Sequence, residues 1–105
     1  MPIPDVDDDS FDRRVLGAVL PVLVDFWSPR CTPCHALARE LERLLPEVAG
    51  RLEIVRINVD ENPWARAEYQ ITQLPALGLF HAGEFVRFVG GLGRKDAIKS
   101  ALGFG

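Results

Sequence analysis

The chain has two cysteines, Cys31 and Cys34, inside the run Phe26-Trp27-Ser28-Pro29-Arg30-Cys31-Thr32-Pro33-Cys34-His35. Two thiols at this spacing can staple a loop, supply half of a metal site, or cycle between dithiol and disulfide. The staple is weak, because closing a four-residue loop contributes only about 2 kcal/mol in the chain-entropy model. A structural zinc needs four ligands. With His35 adjacent in sequence and His81 on an expected strand, a closed metal site would need a partner chain. The redox reading draws on position: the pair falls between an apolar strand and the start of a helix, where unpaired N–H groups and the helix dipole favour a thiolate. Arg30 adds positive charge beside Cys31, and Pro33 suits the first helical turn. On this reading Cys31 is the exposed nucleophile and Cys34, one turn in, the resolving thiol.

Asp25 is the second residue with chemical promise. A carboxylate in the middle of a buried strand is costly unless it is paired or protonated. It can be a solvated strand-end residue, the partner of a core cation such as Arg56, or a buried carboxyl of raised pKa that exchanges a proton with Cys34.

The elements that must position these groups follow from pattern. Ser10, behind three Asp residues, reads as the cap of a short helix carrying Phe11, Val15 and Leu16. Leu20 to Trp27 is too continuously apolar for a half-exposed strand and reads as a central one, with Pro21 tolerable at its start. Leu37, Leu41, Leu44, Leu45 and Val48 recur at helical spacing up to Gly50, and Pro46 should kink or shorten the last turn. Leu52 to Val59 is a second strand, completing a βαβ unit. Asn62 then caps a short helix with Pro63 at its first position. Strands at Ala76 to His81 and Glu84 to Val89 form a hairpin, and a last helix covers about Arg94 to Leu102. The sum is an α/β fold, a mixed sheet with helices on both faces, and the spacing C-x-x-C beside a βαβ unit strengthens the redox reading.

At 105 residues and 48% hydrophobic composition, one domain over 1–105 is expected. A net charge of −3 with no cluster of Lys and Arg argues against nucleic acid or an anionic membrane as partner. The first residues lack the features of a signal peptide, and no apolar run approaches the length of a bilayer span. The expectation is a soluble, cytoplasmic monomer with no bound metal or cofactor; no Gly-rich dinucleotide fingerprint is present.

The chain resembles the thioredoxin family over nearly its whole length, in "SFDRRVL", "PVLVDFWSPRCTPC", "INVDENP", "YQITQLPALGLFHAGE" and "FVGGL". The resemblance implies a central five-stranded sheet flanked by helices and activity as a protein disulfide reductase. It makes Cys31 the attacking cysteine, Cys34 the resolving one and Asp25 the proton-transfer carboxylate, with Arg56 the basic residue nearby. Pro75 matches a cis-proline facing the disulfide, and Leu74 would offer its backbone to an extended substrate. Trp27, Leu74, Pro75, Gly90 and Gly91, with Pro33, would form the docking surface. The partners implied are disulfide-containing client proteins and an NADPH-dependent flavoprotein reductase.

The departures are specific. Arg30 stands where the family usually has an aromatic residue, Thr32 replaces Gly, His35 replaces Lys, Arg39 takes the place of a kink-forming proline, and Ala76 replaces Thr. Arg30, Thr32, Pro33 and Arg56 are therefore the residues expected to tune redox poise. Arg30 should raise the reduction potential by stabilising the reduced form; one pKa unit corresponds to about 30 mV. A raised potential would favour oxidase or isomerase chemistry, and a binding adaptor or redox sensor is the alternative from another class.

Overall fold

The computed structural model describes residues 2–90 and 93–104. Five strands, β1 (Asp5–Val6), β2 (Val22–Trp27), β3 (Glu53–Asn58), β4 (Ala76–His81) and β5 (Glu84–Phe88), form one sheet in the order β1-β3-β2-β4-β5. β1 and β2 both run parallel to β3, whereas β4 and β5 are antiparallel to their neighbours. The helices are α1 (Thr32–Val48), α2 (Pro63–Glu68) and α3 (Lys95–Ala101).

Side chains alternate across β2, and that alternation divides the core in two. Val22, Val24 and Phe26 point into a cluster with Phe11, Val55, Ile57, Ala65 and Phe80, under α2 and the turn before β2. Leu23 points the other way, into a cluster built from Leu37, Leu41, Leu44 and Val48 of α1, Leu77 of β4 and Ile98 of α3. Asp25 shares the face of Leu23, so its carboxyl lies on the side that α1 covers. Lys95 and Lys99 of α3 both reach Glu47 of α1, and Glu40 of α1 accepts the Lys95 backbone N–H at 2.9 Å.

Local chemistry departs from the sequence reading at four places. β1 is a strand of two residues, too short to show an alternation. Ser10 caps no α-helix; it forms a tight turn with Asp7, and Asp12–Leu16 is a single π-helical turn closed by the Gly17 N–H on Asp12 O at 2.7 Å. Asn62 does not cap α2 with its side chain, which is occupied by the Asp8 N–H and Asn58 O. The Asp8 carboxylate does so from the turn after β1, accepting from the N–H groups of Trp64 and Ala65, both at 3.0 Å. Pro46 leaves α1 intact for two further residues, and Ala49 N–H still reaches Leu45 O at 3.0 Å.

Candidate active site

Cys31 and Cys34 are joined in a disulfide at the start of α1. Cys31 is the N-cap residue: its backbone is extended (φ −91°, ψ 101°), and its Sγ accepts the Cys34 N–H at 3.2 Å. The β2 strand delivers this loop, Ser28 O accepts the Cys31 N–H at 3.0 Å, and Pro33 occupies the first turn of the helix. The two sulfurs differ in access. Cys34 is fully buried, whereas Cys31 is part-exposed, with Thr32 and Pro33 open to solvent beside it. His35 is exposed, and its Nε2 donates to Pro29 O at 3.0 Å.

Asp25 is fully buried directly opposite its register partner Arg56 of β3, whose Nε donates to Asp25 Oδ2 at 3.0 Å. The other oxygen, Oδ1, has no hydrogen-bond partner among the described residues. Burial pushes the Asp25 pKa up to about 6 against the opposing pull of the Arg56 charge and its hydrogen bond. Asp25 is thus the ion-pair partner of Arg56 and at the same time of raised proton affinity, because one mostly buried guanidinium does not offset the full loss of water. The Arg56 guanidinium also lies 4.2 Å from the centroid of the Trp27 ring.

The Leu74–Pro75 bond is cis. Leu74 lines the same depression as Cys31, together with Ser28, Arg30, Asp60 and Arg66. Its N–H and C=O make no hydrogen bond among the described residues. Pro75 lines a neighbouring groove with Thr72, Ala76 and Phe88. Trp27 goes elsewhere: half-buried, it borders a separate depression with Asp5, Asn58 and Glu61. Gly90 is exposed, and Gly91 lies outside the described residues.

The Thioredoxin family model matches residues 2–103. The thioredoxin of Synechocystis sp. is 39% identical over 99 residues, covering 94% of this chain and 92% of that protein. That of Pyropia yezoensis is 40% identical over 102 residues, covering 97% and 95%, and that of Streptomyces clavuligerus is 40% identical over 96 residues, covering 91% and 89%. The chain belongs to the thioredoxin family.

The sheet and its flanking helices are the thioredoxin fold, and the chain is a thiol-disulfide oxidoreductase, a thioredoxin disulfide reductase whose redox group is the Cys31–Cys34 pair. Membership implies disulfide-containing clients and a reductase that recharges the pair. Among the described residues no helix is long and apolar enough to cross a membrane. Within this thioredoxin site, three residues escaped the sequence reading. Ser28 donates to Asp60 Oδ2 at 2.8 Å, and Asp60 also receives Arg30 Nη2 at 3.4 Å and Arg66 Nη1 at 3.5 Å. Asp60 lies in the turn two residues beyond β3, on the end of the sheet where β2 delivers the cysteines, and that parallel pairing was the one available signal.

Proposed function

We propose that Cys31 is the attacking thiol, Cys34 the resolving thiol and Asp25 the proton acceptor of a cycle that runs toward reduction of client disulfides. The observation that carries it is the unequal access of the two sulfurs: an incoming disulfide meets part-exposed Cys31, while buried Cys34 is out of reach. The Cys31 thiolate attacks one client sulfur, the client S–S bond breaks, and the leaving client thiolate takes up a proton. Asp25 then receives the Cys34 proton, relayed by water, and the Cys34 thiolate attacks Cys31 Sγ. The mixed disulfide breaks, the second client thiolate leaves and is protonated, and two electrons have passed to the client.

Three features support the thiolate at Cys31: its place as N-cap, the Cys34 N–H directed at its sulfur, and the N-terminal dipole of α1. Client binding falls to Leu74 and Pro75, with the free N–H and C=O of Leu74 pairing an extended client segment and exposed Gly90 at its margin. In this reading Trp27 supports the Arg56 guanidinium instead of meeting the client. An NADPH-dependent flavoprotein reductase returns the electrons, and the protein works as a monomer, one domain, in the cytoplasm.

The test is a pair of variants with a disulfide client and a reducing system. Cys31→Ser should lose turnover and form no client adduct, and Cys34→Ser should accumulate the mixed disulfide. Normal turnover by Cys34→Ser would overturn the dithiol cycle, and full biological function of the double variant would point to an adaptor instead.

A further inference from the structure

The depression beside Cys31 has a charge arrangement that the dithiol cycle does not use. Asp60 is its centre: Oδ2 accepts from Ser28 Oγ and Arg30, and Oδ1 accepts from Arg66. Ser28 is only 5% exposed, so the carboxylate is anchored from below. That hydrogen bond, aided by the two arginines, holds the Asp60 carboxyl below its ordinary range, and it is ionised at neutral pH. Two guanidinium groups thus share one carboxylate, and one positive charge is left uncompensated.

The two arginines are held differently. Arg66 is tied at Nε to Ile71 O at 3.3 Å, whereas the Arg30 side chain is 86% exposed and hydrogen-bonds only Asp60 among the described residues. Both contacts to Asp60 are long, at 3.4 and 3.5 Å, and leave most of the five donors on each guanidinium unused. A second carboxylate set between them would complete an alternating quartet of charges and satisfy those donors in the planar geometry that guanidinium favours. A lysine in the same place would bring a third cation onto the pair.

The location decides what can enter. Cys31 and Leu74 line this same depression. A client whose sulfur reaches Cys31 and whose backbone runs beside Leu74 therefore places the side chain next to its reactive cysteine over Arg30 and Arg66. The geometry points to Arg30 and Arg66, organised by Asp60, as the specificity determinants that select client segments with Asp or Glu flanking the reactive cysteine. This inference rests on the client docking proposed above.

Three disulfide-bonded peptides, identical except for Glu, Gln or Lys beside the reactive cysteine, test it. Reduced protein should reduce the Glu peptide about tenfold faster than the Lys peptide at low ionic strength, with Gln between, and the ratio should shrink toward one in about 0.5 M salt. Arg66→Gln should narrow the Glu-to-Lys ratio to about threefold, and Arg66→Glu should invert it. Equal rates for the three peptides in low salt would overturn the charge selection while leaving the dithiol cycle standing, as would an undiminished ratio in Arg66→Glu. Failure to reduce any of them would overturn the dithiol cycle itself and this inference with it.

Discussion

The Arg56 guanidinium is held between two side chains of β2: it donates to the Asp25 carboxylate at 3.0 Å and covers the Trp27 ring at 4.2 Å. Because Asp25 and Arg56 are register partners on adjacent parallel strands, this contact is built into the sheet and does not depend on a flexible loop. Its consequence is that the cation opposing the burial-raised proton affinity of Asp25 is held in place by strand pairing.

Asp25 should give turnover an acid limb. With its pKa near 6, the carboxylate is available above that value and lost below it. The rate of mixed-disulfide resolution should fall as pH drops through 6, and Asp25→Asn should remove that limb and lower the rate at pH 7.5 by about a hundredfold. A profile of the variant that kept its midpoint near 6 would assign the titration to another group.

The same shift makes a stability prediction of definite sign. The folded pKa of Asp25 lies above its ordinary value of 3.8, so the folded state favours the protonated form. The associated stability is full at low pH and is lost as pH rises through about 6, amounting to about 3 kcal/mol. Because the loss begins near pH 3.8, about half of it falls below pH 5, and denaturant unfolding at pH 5 and pH 8 should show the wild type losing about 1.4 kcal/mol more than Asp25→Asn over the interval.

Removing the cation should move both curves. In Arg56→Gln the carboxylate loses its only hydrogen-bond donor among the described residues, so the acid limb should shift upward by about one pH unit. Stability should drop by about 2 kcal/mol at pH 8 and much less at pH 5, where Asp25 is neutral. An unshifted limb would show that the Arg56 charge is already neutralised by solvent.

Arg30 should have a smaller effect on redox poise than its place beside Cys31 suggests. Its side chain is 86% exposed and its guanidinium is turned to Asp60, so solvent and a countercharge should both dilute its support for the Cys31 thiolate. Arg30→Trp should lower the reduction potential, by about 10 mV and not by the 30 mV of a full pKa unit. Equilibration with glutathione or dithiothreitol buffers, followed by tryptophan fluorescence, measures this; an increase would reverse the assigned sign.

The β4–β5 turn offers a test of backbone strain. Ala82 and Gly83 both have positive φ, 54° and 83°. A Cβ is disfavoured in this region by about 1 kcal/mol, part of which is returned by the greater freedom of an unfolded glycine. Ala82→Gly should therefore stabilise the fold by about 0.5 kcal/mol in denaturant unfolding, and a loss of stability would contradict the strain.

The elements around the cysteines were legible because each has a strong local cause. Five apolar or aromatic residues and one Asp make β2 unmistakable, and the heptad-like leucines of α1 point one way. What sequence patterns left out is held by distant partners. Asp8 caps α2 across 56 positions of chain, and Ser28 meets Asp60 across 32. Neither contact leaves a periodic trace. Arg30 shows the limit at the site itself: adjacency in sequence to Cys31 pointed to its sulfur, but the side chain turns to a carboxylate at the end of another strand.

The hydrogen bond from the Cys34 N–H to Cys31 Sγ gives the molecule an internal gauge of its electron load. The acceptor is a neutral bridged sulfur when the pair is oxidised and an anion when Cys31 is a thiolate, and charge-assisted acceptors bind amide protons more tightly. One backbone proton at the head of a 17-residue helix thereby registers each transfer. Its chemical shift and exchange rate would read out the oxidation state in intact protein, without a label and without waiting for a client to react.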